Sequence, residues 1–142
     1  MKAHLLAALG GILLIGAALL GGDLPGPVVP RPDSVVVAPP FPSERLSVLI
    51  VEETNERFRL PYQQLQVFSS PQLFQWLRTN GAEWHIWDKD VDATRMPDNW
   101  RAALAVPREA VPWIVISNRS KGYSGPLPKD VASTISLLEK FR

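Results

Sequence analysis

The sequence predicts an α/β domain with the element order β-α-β-α-β-β-α, a central mixed four-stranded sheet flanked by helices. Three observations predict it. Short apolar runs rich in β-branched residues alternate with stretches of helical periodicity. The first two strands are separated by a helical stretch, which favours a parallel crossover between them. Near the end, Val111-Pro112-Trp113-Ile114-Val115-Ile116-Ser117 leads into Lys121-Gly122-Tyr123-Ser124-Gly125-Pro126-Leu127-Pro128, a strand approached through a proline, a tight reversal and a short second strand.

Size sets the outer limit. With 142 residues there is room for one domain, and two N-terminal segments stand apart from it. Residues 1–22 are almost wholly apolar and residues 23–43 are rich in proline, which leaves residues 44–142 for the folded domain. A chain of that size buries an adequate core without staples. The net charge is +1, and from residue 43 onward 13 basic side chains face 12 acidic ones. No face is forced to be strongly basic, so nucleic acid is not expected as a partner. Cysteine is absent. That excludes disulfides, a thiolate nucleophile and any cysteine-based zinc site, and it leaves the redox compartment open.

Residues 1–22 begin Met1-Lys2-Ala3-His4 and run from Leu5 to Gly22 without a charge. Two readings stay open: an uncleaved membrane anchor, which needs about 20 apolar residues, or a secretory signal peptide. In both, Lys2 and the amino terminus stay on the cytoplasmic side. The domain is then either anchored on the extracytoplasmic side, with the membrane as partner through residues 5–22, or secreted or periplasmic. Pro25, Pro27, Pro30, Pro32, Pro39, Pro40 and Pro42 punctuate residues 23–43. They predict a semi-rigid, polyproline-like spacer reaching ~60 Å at about 3.1 Å per residue.

The elements follow in order. Leu46–Val51 is a β-branched apolar run and predicts a buried strand, ended by the charged loop Glu52–Arg57. Pro61–Phe68 predicts a short helix with proline at its first position. Ser70 as N-cap, Pro71 in the first turn and Gly81 as stop frame a second helix, with Leu73, Phe74, Trp76 and Leu77 as its apolar stripe. Glu83–Asp88 alternates as a strand with one wet face. Asp98 is the expected cap of a helix carrying Trp100, Ala103 and Leu104. Trp113–Ser117 is the third strand, Asn118-Arg119-Ser120 reverses it, and Gly122–Ser124 is its hairpin partner. Gly125–Pro128 makes a corner before a final helix over 129–141, with Val131, Ile135 and Leu138 on one face.

This order, with Val111-Pro112-Trp113-Ile114-Val115 before the third strand and Lys121-Gly122 to Gly125 after it, resembles the thioredoxin-like superfamily from Leu46 to Phe141. The resemblance implies a cis Val111–Pro112 bond. It also implies a site where the loop after the first strand meets that proline. The sequence departs from the family at that site. Where the family carries Cys-x-x-Cys, this chain has Thr54-Asn55-Glu56-Arg57-Phe58-Arg59. Thiol–disulfide exchange requires a thiolate and is excluded.

What remains is a docking edge. The backbone before such a proline is unpaired and can accept an extended peptide as an added strand. The candidate binding residues are Glu53, Thr54, Asn55, Glu56, Arg57, Arg59, Val111, Pro112 and Trp113, with Arg57 and Arg59 expected opposite Glu53 and Glu56. The plain alternative is a set of solvated loop charges. Asp88, Asp90 and Asp92 have the opening spacing of a calcium loop, but Ala93 stands where its glycine belongs and Asn99 where its last acid belongs. His4 and His85 have no ligand spacing, so neither metal nor cofactor is expected. No Gly-x-Ser-x-Gly elbow or phosphate loop occurs. Three functions are compatible with these residues. One is a tethered or exported module that binds a protein or peptide. Another is a non-redox enzyme using Glu53, Arg57 or His85 beside Pro112. The third is a structural component of an envelope assembly.

Overall fold

The structure, a computed structural model, describes residues 38–142. Both readings of residues 1–22 lie outside the described residues, as does most of the proline-rich spacer. Among the described residues no helix is long and apolar enough to cross a membrane.

Four strands form one mixed sheet: β1 (Ser47–Glu52), β2 (Glu83–Asp88), β3 (Trp113–Ser117) and β4 (Gly122–Pro126), in the order β2-β1-β3-β4. The helices are α1 (Tyr62–Leu65), α2 (Pro71–Thr79), α3 (Asp98–Ala105) and α4 (Val131–Glu139). β1 pairs parallel with β2 and antiparallel with β3, and β3 pairs antiparallel with β4. The α/β class and the mixed four-stranded sheet are as the sequence predicts.

The core is two-sided because the central strands alternate. Val48 and Ile50 of β1 and Ile114 and Ile116 of β3 point to one face, where Leu73, Leu77, Leu138 and Phe141 cover them. Leu49 and Val51, with Trp113 and Val115, point to the other, under Trp100 and Ala103 of α3. Every residue of β1 is buried. A continuous apolar run such as Val48–Val51 is what a central strand with both faces covered requires.

Helix ends follow local chemistry. Ser70 accepts from the Leu73 N–H at 3.2 Å, and Gly81 takes φ +63° just beyond α2, the left-handed geometry that glycine adopts without strain. Asp130 caps α4 by accepting from the Ser133 N–H at 2.7 Å, which holds its carboxyl below the usual carboxylate range. Asp98 is not a cap. It sits inside the first turn of α3 and pairs with Arg101, because Pro97 already supplies the extended residue that precedes the helix.

Several expected boundaries move. β1 starts one residue later and includes Glu52, whose charge is neutralised in place. The loop after it is a 3-10 turn over Thr54–Arg59. The helix expected over 61–68 is α1 followed by a 3-10 turn, Gln66–Ser69. β4 reaches Pro126, since the Leu127 N–H still bonds the Pro112 carbonyl at 3.1 Å, and α4 is shorter than residues 129–141. β2 has no wet face. Its residues are half-buried throughout, because Trp84 stacks on Phe74 of α2 on one side while His85 and Trp87 meet Trp100 of α3 on the other.

The spacer also ends earlier than the expected 23–43. Phe41 is 2 % exposed, its ring lies 5.8 Å from Trp100, and its N–H donates to Ser117 Oγ at 3.2 Å. Pro39 and Pro40 rest where a side chain at Gly122 would stand. The folded unit therefore begins before residue 44. Removing a buried aromatic leaves a cavity that the surroundings fill only in part, so Phe41→Ala is expected to cost about 3–5 kcal/mol in urea unfolding. A loss below ~1 kcal/mol would mark Phe41 as part of a detachable tether.

Candidate functional site

The site grows from the C-terminal end of β1. Glu52 is the last strand residue and is 3 % exposed. A carboxylate cannot be left there unpaired. The chain turns at once and returns Arg57 to it: Nε and Nη2 of Arg57 engage Oε2 and Oε1 of Glu52, and Thr54 Oγ1 donates to Oε1 at 3.1 Å. The hydrogen bond to Glu52 raises the Arg57 pKa, and the guanidinium lies 5.2 Å over the Phe68 ring. Pairing of this kind is bidentate and directional, so it holds the shape of the 3-10 turn.

A second set of polar contacts ties the turn to the end of β2. Asp88 accepts from the Asp90 N–H and the Thr54 N–H, both at 2.9 Å, and these bonds lower its pKa. The Lys89 ammonium sits between Glu53 at 3.1 Å and Asp90 at 2.7 Å, which raises its own pKa. Carboxylate oxygens of Glu53, Asp88 and Asp90 lie within 4.8 Å of one another. Lys89 already supplies a positive charge to that cluster, and the oxygens of Asp88 are engaged by backbone. Asp92 stays apart, capping the Thr94 N–H at 2.9 Å. The calcium-loop spacing therefore does not gather into a ligand shell.

Facing the turn, the Val111–Pro112 bond is cis. Between the two lies a cleft of about 190 Å³ lined by Glu52, Glu53, Glu56, Arg59, Leu60, Val111 and Pro112. Arg59 bonds Glu56 at 2.9 Å on its rim. The Val111 N–H and C=O have no hydrogen-bond partner among the described residues, whereas the next carbonyl, on Pro112, is taken by Leu127. Phe58 and Tyr62 are 78 % and 74 % exposed on the same stretch of chain as Leu60.

The structure thus brings together Glu53, Glu56, Arg59, Val111 and Pro112 of the nine expected site residues. The others serve differently. Arg57 does not stand opposite Glu53 or Glu56, because the buried Glu52 claims it. Thr54 uses its hydroxyl on Glu52 and its N–H on Asp88, and the Asn55 N–H is held by Glu53 Oε1 at 3.4 Å. Trp113 is buried in the second core, its Nε1 donating to Ser124 Oγ at 2.8 Å. Glu53, Arg57 and His85, the proposed enzyme set, do not converge. His85 stacks on Trp87 with centroids 4.3 Å apart and lies edge-on to Trp100 at 4.5 Å, and burial lowers its pKa.

Sequence reasoning missed Glu52 and Leu60 as cleft residues and Lys89 as the cation of the acidic cluster. One signal for Glu52 was present: a carboxylate directly after four consecutive apolar strand residues, Val48–Val51, followed five positions later by an arginine.

The pair also predicts an asymmetry. Arg57→Ala strands a buried charge and is expected to cost about 3 kcal/mol, toward the low end for buried pairs because Arg57 is itself partly exposed. Glu52→Gln leaves an arginine that can reach water, and its expected cost is about 1 kcal/mol. Urea midpoints of the two variants check the asymmetry; equal penalties would be inconsistent with the pairing.

Compared with protein-family models, curated proteins and solved structures, the chain matches none of them.

Proposed function

We propose that the protein is a redox-inactive, thioredoxin-like binding module, tethered to a membrane or exported, that takes an extended segment of a partner protein or peptide beside Pro112. The observation that carries this reading is the open backbone at Val111 in the wall of a cleft. An extended chain laid along that wall would exchange main-chain hydrogen bonds with Val111 as an added strand does. The element order, the sheet order and the loop-against-proline arrangement support the thioredoxin-like assignment. The apolar residues 1–22 and the prolines after them support the tether or export. The absence of cysteine removes the family's redox chemistry.

The lining indicates the chemistry of the bound segment. Glu52, Glu53 and Glu56 line the cleft with Arg59; together with Asp88 and Asp90 beside it, five carboxylates stand against three cations, Arg57, Arg59 and Lys89, while Leu60, Val111 and Pro112 supply apolar surface. A small acid would meet net like charge. An extended peptide with an apolar side chain and a neighbouring lysine or arginine fits better.

A random peptide array probed with the full chain in detergent checks the reading. Bound sequences should be enriched in basic and apolar residues. Glu56→Lys should weaken binding roughly tenfold, the scale of one charge reversal worth about 1.4 kcal/mol. Binding that is indifferent to Glu56→Lys, or selection of acidic peptides, would refute it.

A further inference from the structure

The two edges of the sheet are not alike. At the β4 edge, Pro39 and Pro40 cover Gly122, and Pro126 has no N–H to offer. At the other edge, nothing among the described residues pairs with the outer side of β2. Soluble proteins blunt such an edge with charges, prolines or bulges along the strand. β2 has none of these between its ends: Glu83 and Asp88 enclose Trp84-His85-Ile86-Trp87, all half-buried.

The hydrogen-bond phase of β2 is fixed by its inner side. The Glu83 N–H bonds the Leu46 carbonyl at 2.9 Å and the Lys89 N–H bonds the Glu52 carbonyl at 2.7 Å. Residues 83, 85, 87 and 89 therefore turn their backbone groups toward β1, and Trp84, Ile86 and Asp88 turn theirs outward. The Asp88 carbonyl accepts from the Val91 N–H at 3.1 Å. The N–H groups of all three, and the carbonyls of Trp84 and Ile86, have no partner among the described residues.

We propose that β2 pairs with β2 of a second copy of this chain, antiparallel about a two-fold axis at Ile86, joining the two sheets. The outward groups select the register. Ile86 opposite the partner's Ile86 exchanges two hydrogen bonds, and each Asp88 N–H meets the other copy's Trp84 carbonyl. A shift by one residue would set outward groups against inward ones and form no ladder. Side chains fit the same register independently. Glu83 falls opposite the partner's Lys89, unlike charges at both ends. His85 falls opposite the partner's Trp87, extending the stack that His85 and Trp87 already form within one chain. Each end of the strand keeps its own ion pairs, Glu83 with Arg45 at 3.4 Å and Lys89 with Glu53 and Asp90. Self-pairing is the isologous contact of a two-fold dimer, and it closes an edge that would otherwise stay open.

Because the chain has no cysteine, a single introduced thiol reports only on contact between chains. Opposed residues of a hydrogen-bonded antiparallel pair have Cα atoms about 5.5 Å apart, within disulfide reach. The full chain in non-ionic detergent, as Ile86→Cys, should oxidise to a linked dimer roughly tenfold or more faster than a Ser136→Cys control on the exposed face of α4, because pairing raises the local thiol concentration. Adding Glu83→Lys should bring the rate down to that of the control, and adding Lys89→Glu as well should restore it. Equal rates for Ile86→Cys and Ser136→Cys overturn the proposal, since dimers held only through residues 1–22 would link neither position preferentially. Hydrogen exchange on the unaltered chain gives a second reading. Protection of the Ile86 amide should rise with protein concentration. Protection that is high at every concentration places another segment of the same chain on the edge and overturns the dimer.

Discussion

A carboxylate buried at the end of the central strand must be met by a cation, and the Glu52–Arg57 pair meets that demand. β1 is covered on both faces, so its last residue is carried into the interior along with the apolar ones before it. Desolvating both charges offsets much of their attraction. The pair's main contribution is therefore geometry. A guanidinium that must reach back five residues closes the chain into a 3-10 turn, and the closed turn sets Glu53, Glu56, Arg59 and Leu60 against Val111 and Pro112. The cleft is a consequence of satisfying a buried charge.

The same economy of contacts runs through the rest of the site. Asp88 and Lys89, at the end of the neighbouring parallel strand, hold the turn by its backbone and by Glu53. The strand that buttresses the turn is also the strand with the open edge. A contact made along β2 is therefore adjacent to the contacts that shape the cleft, through Asp88 and Lys89. Among the described residues, backbone is left unsatisfied at Val111 and along β2, each beside apolar surface.

Much of the fold is legible because local and global preferences agree. Ser70-Pro71 and Gly81 frame α2, Trp113–Ser117 alternates between two apolar faces, and Asn118 closes the hairpin by accepting from Ser120 and Lys121. The site is less legible. Five of nine expected residues line the cleft; of the other four, Trp113 is claimed by the core and by Ser124, and Thr54 by Asp88, while Arg57 and Asn55 are claimed by near neighbours, Glu52 and Glu53. Phe41 was hidden in a proline-rich stretch because composition averages over a window and a single buried ring does not change the average. His85 and Trp87 were expected on a strand with one face to water, and the placement of α3 over that face is a tertiary fact.

By itself the sequence determined the element types, the two-sided central strands, the hairpin and the exclusion of thiol chemistry, since each follows from periodicity, capping residues or the presence or absence of an atom. Only the tertiary structure decided which arginine meets which glutamate, that Lys89 neutralises the acidic cluster, that Phe41 belongs to the core, and which strand edge stays open. Most of those outcomes depend on distances between segments far apart in the chain, and the Arg57–Glu52 pair, only five residues apart, depends on the burial of β1. A charge pattern read along a sequence contains every possible pairing and selects none of them until burial makes one pairing obligatory.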